Sequence, residues 1–74
     1  MTDKIHIEKV GRIIANPRSV SLGWFIEVRP EGGGFIILFS QDPKFAKGDV
    51  FDDFAIDEDE LSVRLRGWQI EWLD

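Results

Sequence analysis

Three features of the sequence predict an α+β domain: short alternating apolar runs, a triple-glycine break between two of them, and one acid-capped helical segment. The expected form is a small antiparallel sheet of about four strands with one short helix, in the order β-β-β-α-β. At 74 residues the chain is a single domain, near the size at which one core is marginal. Six Phe, three Trp and many aliphatic residues compensate, and the lack of Cys rules out disulfides and thiolate metal sites.

Each element has its own warrant. In KIHIEKVGRII (4–14), Ile5 and Ile7 alternate as in a strand, and Gly11 marks a bulge or bend before Ile13 and Ile14. ANPRS (15–19) reads as a turn, because Pro17 fixes φ and Asn16 and Ser19 bond locally to backbone. VSLGWFIEVRP (20–30) puts Val20, Leu22, Trp24, Ile26 and Val28 on one strand face, with Phe25 among the residues on the other. The glycines of PEGGG then form a hairpin loop of three to five residues. FIILFS (35–40) is apolar on both faces and therefore belongs inside the sheet, with Phe25 as a partner for its second face.

QDPKFAKGD (41–49) reads as a loop from which Phe45 folds back onto the core. Asp57 and Glu60 match a capping box, followed by Leu61 and Leu65 at i, i+4. Glu58, Asp59 and Glu60 in the first turn and Arg64 and Arg66 in the last complement the helix dipole, and Gly67 is the C′ residue. The predicted helix is 58–66. WQIEWL (68–73) closes the chain as a strand, at an edge or beside the first, with Trp68, Ile70 and Trp72 on its apolar side.

The net charge of −5 is local. Residues 1–48 are slightly positive, 61–74 are neutral, and 49–60 hold seven carboxylates with no basic residue. This balance argues against nucleic acid, which needs a basic surface. No apolar run is long enough for a membrane span and no basic-then-apolar leader opens the chain, so the expectation is a soluble cytoplasmic protein with no membrane partner.

Asp57 to Glu60 are explained by capping and the helix dipole, at about 0.3–1 kcal/mol each. Asp49, Asp52 and Asp53 are not: they interleave with Val50, Phe51 and Phe54. Either the aromatics bury while the aspartates face water, or the segment is a negative surface, with aromatic anchors, for a basic protein partner. The candidate partner-binding residues are Asp49, Asp52, Asp53, Glu58 and Asp59. A Ca²⁺ loop fits poorly, because the required Gly is missing and Val50, Phe51, Phe54 and Ile56 are too apolar, so no metal or cofactor is expected.

No catalytic constellation is legible. His6 is the single histidine and lies opposite Ile5 and Ile7, where exposure is expected. Ser19, Ser21, Ser40 and Ser62 have no base beside them, and no Lys-Ser/Thr follows EGGG as a phosphate loop requires. The chain reads as a non-enzyme. The tryptophans read as core, with an exposed Trp stripe on an edge strand as the alternative sign of self-association.

The succession GWFIEVRPEGGGFIILFSQDP, GDVFDDFAIDEDEL and GWQIEWL resembles small bacterial immunity-type proteins, the antidotes of polymorphic or contact-dependent toxins. The likeness spans roughly residues 23–73 as a pattern of hairpin, acidic Asp-Asp-aromatic segment, short helix and Trp-rich last strand. It implies a small acidic non-enzymatic protein that binds a toxin and blocks its active site or an exosite; it carries no individual residue roles. The functional expectation is thus a protein-binding module, an immunity protein docking through its acidic segment. The rival is a structural or assembly protein that self-associates through an apolar edge strand.

If Asp57 is the N-cap, Asp57→Ala should cost about 0.5–2 kcal/mol in chemical denaturation and Asp59→Asn clearly less. Equal, negligible losses would contradict the helix start.

Overall fold

The computed structural model describes residues 5–45 and 50–73. Along the chain run β1 (Val10–Ala15), β2 (Phe25–Glu31), β3 (Gly34–Ser40), β4 (Val50–Ala55), α1 (Glu58–Arg64) and β5 (Gln69–Leu73). The strands form one antiparallel sheet in the order β4-β3-β2-β1-β5. This is the expected α+β class, with β3 inside the sheet and the last strand both at an edge and beside the first. One strand is added: β4 occupies a segment that the sequence reading leaves unassigned between loop and helix.

The β2–β3 hairpin turns in two residues, fewer than expected. Gly32 and Gly33 take φ of 56° and 88°, the paired left-handed conformation that matches strand twist. Glu31 therefore faces Gly34, and the register runs on through Val28 opposite Ile37 and Ile26 opposite Phe39. Across β4, Ile37 faces Asp53 and Phe39 faces Phe51.

This register gathers the core on one side of the sheet. Ile13, Ile26, Val28, Ile37 and Ala55 are buried there, and Leu61 and Leu65 pack over them. Trp24, Trp68 and Trp72 lie partly buried against this cluster, which gives the tryptophans a core role at its margin. Phe45 is half-buried but does not pack against it. The opposite side of the sheet presents Phe25, Ile36, Leu38 and Phe54, with ion pairs Arg12–Glu71 at 3.5 Å and Arg29–Glu27 at 3.0 Å. No helix among the described residues covers it.

The expected turn forms across 16–19, where the Ser19 N–H bonds to the Asn16 carbonyl, but residues 20–24 depart from the expected strand. The Asn16 side chain accepts from the backbone N–H of Arg18 (3.1 Å) and Val20 (3.2 Å) and donates to the Val20 carbonyl (2.8 Å). These bonds offer the backbone an alternative to a ladder. Ser19 and Ser21, both at φ 53°, coil the segment, so β2 starts at Phe25 and Val20 and Leu22 stay exposed. Gly11 is not a bulge. It lies within β1, where a Cβ would run into Ile70 and come within 2.9 Å of Trp72; the irregularity falls between Ile13 and Ala15. His6 is half-buried rather than exposed, stacked on Trp72 with ring centroids 5.1 Å apart.

The helix starts as expected and ends two residues early. Asp57 accepts from the Glu60 N–H at 2.8 Å, while Glu60 Oε1 accepts from the Ile56 N–H at 2.9 Å, one residue upstream of a reciprocal capping box. Leu65 is the C-cap. Arg66 then bonds back to the Val63 carbonyl and Trp68 to that of Leu65, tightening the exit into turns before β5.

The β3–β4 contact leaves no room at Gly34, where a Cβ would meet the Ala55 carbonyl oxygen and lie 2.7 Å from Phe54 Cζ. Gly34→Ala should therefore cost about 1–3 kcal/mol, since backbone must move. Gly32→Asn should cost less, because Asn tolerates positive φ. Urea denaturation decides, and a neutral Gly34→Ala would contradict the pairing of β4.

Candidate functional site

β4 pairs with β3 along one side and ends the sheet on the other. Its sequence, VFDDFA, sends side chains alternately to the two faces. Phe51 and Asp53 point to the helix side, Asp52 and Phe54 to the opposite one. The aromatics do not bury while the aspartates solvate, as the simplest sequence reading expects. Phe51 is 58% exposed, Phe54 43% and Ile56, just beyond the strand, 64%. The physical reason is coverage: α1 reaches the Ala55 end of β4 and stops short of its start.

The acids accordingly separate into different roles. Asp53 bonds to Arg64 at 2.7 Å, and Arg64 also reaches Glu60 at 3.7 Å. The other Asp53 oxygen accepts from the Phe54 N–H at 2.8 Å. These carboxylates are partly spent on bracing β4 against the helix, although an exposed pair of this kind contributes only about 0.2–1 kcal/mol. Asp57 is the cap. Asp52, Glu58 and Asp59 are exposed, Asp52 beside Phe54 on the uncovered face and the other two on the first helical turn. Asp49 lies outside the described residues. The five sequence-derived positions thus do not form one continuous face; Asp52, Glu58 and Asp59 remain outward and Asp53 is engaged.

A second feature is a cleft of about 540 Å³ on the helix side. Its walls are four aromatic residues from four separate segments: Trp24, Phe39, Phe51 and Trp68. Trp24 and Phe51 have centroids 5.7 Å apart, and Phe39 and Trp68 are 5.8 Å apart, both pairs tilted. Ile37 and Leu65 also line the cleft, together with the charged groups Arg18, Asp53 and Arg64. Sequence reasoning missed this grouping, because each ring taken alone reads as core. The signal available was quantity: nine Phe and Trp side chains in 74 residues exceed what a core topped by one short helix can enclose.

On the uncovered face, hydrogen bonding to Glu27, and then its charge, hold the Arg29 pKa above its ordinary value. Among the described residues, no three His, Cys, Asp or Glu side chains converge as metal ligands would, and no helix is long and apolar enough to cross a membrane. Comparison with protein-family models, with characterised proteins and with solved structures finds no match to this chain.

Proposed function

We propose that the protein is a non-enzymatic binding module that recognises a protein partner with a basic surface, most concretely as an immunity protein that neutralises a toxin. The observation that carries this reading is the open edge of β4, where exposed Phe51 and Phe54 alternate with Asp52 and the exposed acids of the helix start follow in sequence. An edge strand offers unpaired backbone groups to an incoming chain. Exposed aromatics supply buried anchors once covered, and carboxylates around them raise the encounter rate with a cationic surface. The resemblance to immunity-type proteins gives the same partner class.

Self-association through β4 is opposed by its own charge. Two copies pairing edge to edge would bring their Asp52–Asp53 pairs into one interface, where like charges repel. A strand or loop carrying Lys or Arg meets no such penalty.

The test removes the outward charges and keeps those that brace the fold. In a variant with Asp52→Asn, Glu58→Gln and Asp59→Asn, Asp53 and Asp57 remain. Association with the protein that co-purifies with the chain should slow by about tenfold or more at low salt, with a weaker salt dependence. Dissociation should change little, and loss of the first-turn charges of Glu58 and Asp59 should lower stability by only about 0.3–1 kcal/mol each. Association rates that match the unsubstituted protein at two ionic strengths would contradict an acidic recognition edge.

A further inference from the structure

The aromatic cleft differs in charge from the rest of the protein. Its lining carries two guanidinium groups, Arg18 and Arg64, against one carboxylate, Asp53, in a chain of net charge −5. Arg64 is committed to Asp53 and Glu60. The Arg18 side chain has no hydrogen-bond or ion-pair partner among the described residues, its backbone N–H alone being held by Asn16. Around these charges stand four aromatic rings, with Leu65 and Ile37 between them.

Size and chemistry narrow the guest. A volume of about 540 Å³ falls within the roughly 300–1,000 Å³ of small-molecule sites, which are mostly apolar with a few converging polar groups. Aromatic walls favour a flat ring system in offset or edge contact. They would also suit a cation, but a cation here would face two guanidinium groups and one carboxylate already in use. An anionic group has a ready partner in Arg18, through a charge-assisted pair whose planar fork matches a carboxylate.

We infer that this cleft binds a planar aromatic carboxylate, its rings held among Trp24, Phe51 and Trp68 and its acid group on Arg18. The site is separate in kind from the acidic edge: it takes an anion where the edge takes a cationic surface. Phe51 borders both.

The experiment titrates ¹⁵N-labelled protein with naphthalene-2-carboxylate, 2-naphthalenemethanol and 2-naphthylmethylammonium. Saturable shifts are expected at the indole N–H signals of Trp24 and Trp68, while Trp72, stacked on His6 outside the cleft, stays in place as the internal control. The carboxylate should bind about tenfold more tightly than the alcohol, and the ammonium most weakly. Arg18→Gln should abolish the preference for the acid while leaving the affinity for the alcohol. Phe51→Ala, at an exposed position that does not support the core, should weaken all three probes. Equal affinities for the three, tightest binding of the ammonium, an acid preference that survives Arg18→Gln, shifts centred on Trp72, or no saturable shift would each overturn the assignment.

Discussion

A helix of seven residues has to cover one face of a five-stranded sheet. It buries Leu61 and, at its C-cap, Leu65, and those two side chains close the core over Ile13, Ile26, Val28, Ile37 and Ala55. Nearly every other feature follows from that shortage of cover. Its backbone lies nearest β3 and β4, and Leu61 and Leu65 extend from it into the core shared with β1 and β2. Phe51 at the start of β4 is left exposed, the aromatics around Trp24 and Trp68 enclose a cleft instead of a filled core, and no helix among the described residues lies on the second face of the sheet.

The legibility of the sequence tracks this same constraint. The β2–β3 hairpin and β5 are readable because one face lies against the core, so burial imposes a period of two on Ile26, Val28, Ile70 and Trp72. The helix start was readable because capping is local: Asp57 and Glu60 sit within four residues of every group they bond. β4 was hidden for the opposite reason. An edge strand exposed on both faces has no consistent apolar side, and of its six residues only Ala55 is fully buried. Residues 20–24 differ from the strand reading because Val20, Leu22 and Trp24 imitate a strand face, while the side-chain bonds of Asn16 decide the backbone. The number of aromatics hints at an unfilled core, but which rings line the cleft is not legible, since they meet through long-range pairing such as Phe39 opposite Phe51.

The concentration of acids between 49 and 60 has no single cause. Asp57 caps the helix, Asp53 and Glu60 hold Arg64, and Asp52, Glu58 and Asp59 stay outward. A strand edge that shows two phenylalanines would be prone to pair with its own copies, and aspartates at the same edge discourage that. The same charges admit a basic partner. On this account the acids are compatible with both solubility and recognition, and the proposed function depends on the outer edge of β4 being free.

Amide hydrogen exchange across β4 tests that dependence most directly. An edge strand bonded on one side protects every second N–H and leaves the others to solvent, while β1, β2 and β3, paired on both sides, should be protected throughout their paired lengths. The account predicts this alternation over residues 50–55, with the Phe54 N–H judged separately because Asp53 accepts from it. Rapid exchange at every position from 50 to 55 would make the segment a loop, and protection at every position would mean that the edge is already covered; either result contradicts a free β4 edge.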